Sequence, residues 1–109
     1  MEGAIFTNHF SKDDPSPKVQ AFVTQYKAKY GETPDGFAAL SYDAAGLLLD
    51  ALKTSGSTDS AAIRDALQNT TFSGIAGAYK FNENRDPIKA AYILQIKDGQ
   101  QTYLATVNP

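Results

Sequence analysis

Cysteine is absent from the 109 residues, which excludes a disulfide scaffold and any thiolate metal site but does not identify a compartment. An excess of one charge is missing too. Ten basic residues against twelve acidic ones leave a net charge of −2, with no basic footprint for a nucleic-acid backbone. No apolar run approaches the ~18 residues of a membrane span. Met1 is followed at once by Glu2 and Gly3, without the basic and apolar regions of a secretory signal. Repeats and low-complexity stretches are lacking as well. What remains is 42% hydrophobic, with six tyrosines and six phenylalanines, too apolar for a disordered chain. Length and composition are those of one domain of α/β size with a modest core.

Ala4 to Phe10 (AIFTNHF) is short and rich in β-favouring residues, and predicts a strand. After the turn-rich SKDDPSP, Ser16 and Pro17 read as a helix cap and first helical position. Val19, Phe22, Val23, Tyr26 and Tyr30 then line one helical face, and Gly31 stops it. A second helix is predicted from Phe37 to Thr54, with Phe37, Leu40, Ala44, Leu47, Leu48, Ala51 and Leu52 on one stripe. Its only charges are Asp43, Asp50 and Lys53, the mark of a helix covered on most sides. Gly46 within it implies close packing against a neighbour, since glycine costs about 1 kcal/mol there. Ser57-Thr58-Asp59 caps a third helix with Ile63, Ala66 and Leu67 facing inward, ending near Asn69. Ile75 to Phe81 reads as a strand in which Gly74 and Gly77 mark weakening or close approach. A turn follows at Asn82 to Pro87. Ala91 to Lys97 and Thr102 to Val107 form a hairpin around Asp98-Gly99. The expected order is β-α-α-α-β-β-β, three helices plus about four strands.

The catalytic and metal patterns are weak. His9, Ser11, Asp13 and Asp14 share one loop, but a triad needs a base held against its hydroxyl, and no G-x-S-x-G elbow exists. They read as a solvated loop with Asx turns. The acidic turn from Asn82 spaces oxygens superficially like a calcium loop, yet Pro87 and Ile93 stand where such a loop needs glycine and a carboxylate. Gly74 and Gly77 give only G-x-x-G before a strand, whereas a dinucleotide fingerprint needs three glycines opening a helix. Asn69-Thr70-Thr71 is a formal glycosylation sequon. The residues call for no cofactor, no metal and no catalytic role. Phe37, with Ser41 and Tyr42 close by, opens a nearly uncharged helix whose N-terminal N–H groups suit a small carboxylate. Phe37 and Tyr42 are candidate ligand-binding residues, or else core.

The order and spacing of several pieces carry a resemblance: Glu2-Gly3 before a strand, Y-K-x-K-Y-G-E-x-P-D, S-Y-D-A-A, A-I-R-D-A-L and the F-N-E-N-x-D-P turn. Together they resemble the C-terminal part of branched-chain amino-acid-binding proteins of ABC transporters. The resemblance implies a fragment of a two-lobed type I periplasmic-binding fold about three times as long, both lobes α/β domains. It implies a small amino acid of the leucine, isoleucine and valine class held at its carboxylate and ammonium, an ABC permease as partner, and a periplasmic or lipid-anchored extracellular parent. The position matching Phe37 lines the ligand's side-chain pocket in that family. Most of both lobes, with the main carboxylate and ammonium contacts, would then lie upstream of Met1. The expected division is a strand and hinge crossing over residues 1–11, three helices of one lobe over 16–71, and strands with a terminal hairpin over 75–109. A fragment of this kind is expected to be unable to bind ligand alone. It is also expected to cover its exposed helix face by forming a homodimer, a swapped oligomer or a rearranged compact unit. The alternative expectation is a stand-alone, self-associating α/β unit, natural or engineered, with no ligand.

Overall fold

The computed structural model describes residues 1–109. Local sequence sets the three helices. Helix α1 (Pro17–Tyr30) starts at Ser16, whose hydroxyl accepts from the Val19 N–H, and stops at Gly31 in the left-handed conformation, φ 75°. Helix α2 (Gly36–Ser55) is capped by Asp35, whose carboxylate accepts from the Ala38 N–H at 2.8 Å. Helix α3 (Ser60–Gln68) is capped by Asp59, which accepts from the N–H groups of Ala61 and Ala62 at 3.1 Å.

Six strands accompany these helices, two more than expected. β1 (Ile5–Asn8), β5 (Ala91–Lys97) and β6 (Gln100–Val107) form one antiparallel sheet in the order β1-β5-β6. Phe6 lies opposite Leu94, and an irregularity between Ile93 and Leu94 leaves Leu104 as the extra residue of β6. The β5–β6 turn has positive φ at both Asp98 (52°) and Gly99 (73°), the conformation that a tight hairpin needs. The Glu2 carboxylate accepts from both of their N–H groups, at 2.8 and 3.3 Å. The second sheet, β2-β3-β4, consists of β2 (Phe72–Gly74), β3 (Gly77–Phe81) and β4 (Pro87–Ile88).

Two readings from the sequence need correction. Ile75 and Ala76 are not strand residues but the buried turn between β2 and β3. An apolar turn survives there because its N–H groups find a carboxylate, that of Asp43. The buried stripe of α2 also differs from the expected one, running through Ala39, Asp43, Leu47 and Ala51, while Phe37 and Leu48 face outward at 82% and 47% exposure. The β2–β3 hairpin packs on that other face. Gly46 does mark a close neighbour, since a Cβ there would stand 2.7 Å from the Phe72 ring. Ile63, Ala66 and Leu67 of α3 are only half-buried.

The core gathers Phe10, Val19, Phe22, Ala39, Leu47, Ile75, Ala76 and Tyr79 between α1, α2 and the β2–β3 hairpin. Only 15 of the 109 residues are buried, and the radius of gyration is 15.7 Å where a single compact domain of this length would have ~13 Å. The excess follows from a division into two bodies: the helices with β2-β3-β4, and the β1-β5-β6 sheet. The chain crosses between them at residues 9–16 and at 89–90.

Candidate functional site

The junction of the two bodies holds a cleft of about 380 Å³. Phe10, Leu40 and Leu94 give it an apolar floor, with Phe10 and Leu94 each 3% exposed. Phe37 stands at its mouth on the first turn of α2, and Asn8, His9, Lys12, Asp35 and Gln101 supply polar groups around it. Several of these are already engaged. Asp35 caps α2, the Asn8 carboxamide oxygen accepts from the His9 N–H at 2.7 Å, and Lys12 pairs with Asp13 at 2.8 Å. The arrangement can wall an apolar group, while this chain offers few free partners for a charged one.

Tyr42 is not in that cleft. Five residues from Phe37 is about 140° around a helix, which puts Tyr42 over a separate aromatic groove. Its ring lies 4.9 Å from Phe22, and Phe22, Tyr26 and Tyr30 continue the groove at 5.7 and 4.7 Å spacings. Ser41 lines that groove as well. The loop after β1 forms no triad: the Ser11 hydroxyl accepts from the Asp13 N–H, Asp14 accepts from the Ser16 N–H, and His9 bonds neither. Residues 82–86 close on themselves, with the Asn82 carboxamide accepting from the N–H groups of Asn84 and Asp86 at 2.9 Å. No group of three or more metal-ligating side chains is gathered anywhere.

The most consequential polar residue is one that the sequence concealed. Asp43 is 1% exposed, and its carboxylate accepts from Ile75 N–H and Ala76 N–H at 2.8 Å and from the Tyr79 hydroxyl at 2.9 Å. A buried carboxylate with three donors is fully satisfied and fixes what it touches. Burial, the hydrogen bond to Asp43 and that residue's charge push the Tyr79 phenol well above the usual tyrosine range. Tyr92 is raised in the same way, by burial first and then by its hydrogen bond to Asp14 at 2.8 Å. The signal in the sequence is the i+4 row Ala39, Asp43, Leu47, Ala51, one acid among small and apolar residues, with Gly74 allowing its approach.

The fold is thus an α/β unit with an exposed aromatic at the rim of a cleft between its two bodies. The chain belongs to the periplasmic binding protein family, whose model matches residues 1–101. It is 32% identical over 110 residues to a Leu/Ile/Val-binding protein homolog 7 of Brucella abortus, an alignment covering 95% of this chain and 27% of that protein. Among solved structures, a leucine-binding protein from Thermotoga maritima superposes with a TM-score of 0.85 at 38% identity, covering 99% of this chain and 31% of the other. A branched-chain amino-acid substrate-binding protein of Streptococcus pneumoniae, solved with isoleucine, gives 0.82 at 36% identity, with 96% and 30% covered. The chain therefore spans under a third of the length of these relatives. No helix is long and apolar enough to cross a membrane.

Proposed function

We propose that this chain is part of an extracytoplasmic, non-enzymatic solute-binding protein that delivers branched-chain or other small amino acids to an ABC permease. The observation that carries the reading is Phe37. A large aromatic ring, 82% exposed, stands on the first turn of α2 beside an apolar-floored cleft. Such a ring is suited to pack against the aliphatic side chain of a ligand whose charged groups are held elsewhere. The names of the Brucella and Streptococcus relatives support the leucine, isoleucine and valine class. Tyr42 is the second, weaker candidate, because it lies over the other groove. On this reading residues 1–11 are a strand and hinge crossing, 16–71 the helices of one lobe, and 75–109 strands and a terminal hairpin. The parent would be periplasmic or lipid-anchored outside the cell.

The chain alone would not bind, because Asp35 and Lys12, the charged groups nearest the cleft, already have partners. Calorimetry with leucine, isoleucine and valine tests both statements. The 109 residues should give no heat, and a protein completed with the N-terminal part of a relative should bind. Heat from the short chain would refute the divided site, and silence from the completed protein would refute the amino-acid reading. A stand-alone self-associating unit without ligand is the reading that the family match does not favour.

A further inference from the structure

The two bodies meet around one side chain. Lys89 lies at the second crossing, and its Nζ sits 5.7 Å from the centre of the Tyr79 ring on β3 and 6.0 Å from that of Tyr92 on β5. One ring belongs to the helical body and the other to the β1-β5-β6 sheet. The same ammonium donates to the Ala90 carbonyl at 3.0 Å and to the His9 carbonyl at 3.4 Å, one in each crossing. No carboxylate is within ion-pair distance of it. Both rings are held in place by their hydroxyls, Tyr79 on Asp43 and Tyr92 on Asp14. A cation over two fixed aromatic faces is attracted to both of them.

We infer that Lys89 is a clasp between the two bodies, a positioning residue that sets their angle and thereby the width of the cleft beside Phe37. The link to the cleft is direct, because its walls come from both bodies: Phe37 and Leu40 from α2, Leu94 and Gln101 from the sheet. Partial burial lowers the lysine's pKa, opposed by the charge of Asp43, so the ammonium is partly stripped of water where it lies over the rings. The clasp rests on the two-lobed reading above, in which the crossings act as a hinge.

The test needs no ligand, so it can fail while the amino-acid reading stands. The chain has no cysteine, so Lys53→Cys on α2 and Leu104→Cys on β6, both exposed, give a unique pair of spin-label sites. Pulsed electron resonance then reads the spread of distances between the bodies. Lys89→Met keeps the aliphatic stem and removes the charge, and should widen that spread about twofold or more with an unchanged circular dichroism spectrum. Lys89→Arg restores a cation over the rings and should bring the spread back to its original width. Should Lys89→Met lose its dichroism spectrum, Lys89→Gln takes its place. An unchanged spread in the neutral variant, or an arginine variant as broad as the neutral one, would overturn the clasp.

Discussion

Asp43 is the residue whose removal should cost most. Asp43→Ala deletes three hydrogen bonds to a carboxylate, each worth ~1.5–3 kcal/mol, and strands two backbone N–H groups and one phenol inside the core. Relief from holding a charge in the interior offsets part of this. The net expectation is a loss of about 3–5 kcal/mol, against a total stability of ~5–15 kcal/mol for a domain. Asp43→Asn keeps the shape but has one oxygen for donors spread over two, so at least one N–H is left facing an amide; about 2 kcal/mol is expected. Gly74 supplies an internal control. A Cβ there would fall within van der Waals distance of all three terminal atoms of the Asp43 carboxyl group, so Gly74→Ala should be costly in the native chain and nearly neutral once Asp43 is alanine. Urea denaturation followed by circular dichroism gives all four corners of the cycle. An Asp43→Ala loss below about 1 kcal/mol would refute the reasoning. So would a Gly74→Ala cost that is the same in both backgrounds.

Four further expectations follow from exposed or titrating groups. Phe37→Ala should leave folding within ~0.5 kcal/mol, since the ring is exposed, yet weaken ligand binding by about tenfold or more in a completed protein; equal affinity by calorimetry would remove Phe37 from the site. Tyr79 and Tyr92 both have folded-state pKa values raised above the ordinary 10, so their contribution is fully present below pH 10 and is lost as pH rises beyond it. Stability should fall by roughly 1.4 kcal/mol per pH unit for each of them there, and thermal melts of Tyr79→Phe and Tyr92→Phe should each show a shallower alkaline decline. Lys89 acts in the opposite sense, because its lowered pKa makes stability rise with pH until its ordinary value of 10.5 is reached. Finally, Tyr42, Leu48 and Leu49 expose 57%, 47% and 66% of their surface on one uncharged arc of α2. Light scattering should show the isolated chain associating and Leu49→Lys reversing it, and an unsubstituted chain that stays monomeric at high concentration would remove that reasoning.

The helix ends were legible where their causes are local: Ser16 with Pro17, Asp59, and the glycine at 31 act within a turn of themselves. Asp98-Gly99 was legible for the same reason, as both residues must take positive φ. Asp43 was not, because the groups that explain it stand more than thirty residues away and an acid on a helix reads as solvated. That single omission accounts for two others. Without a carboxylate to receive them, the N–H groups of Ile75 and Ala76 had to be assigned to a strand. Without the β2–β3 hairpin against Asp43, the buried stripe of α2 drifted toward Phe37 and Leu48. Phe37 and Tyr42 also looked like neighbours in sequence, but the turn of the helix sends them to different hollows. Asp43 therefore bears on the candidate site as well as on the core: it fastens α2, which carries Phe37, to β3, which carries one of the two rings under Lys89. A change at Asp43 should disturb the cleft without touching any atom that lines it.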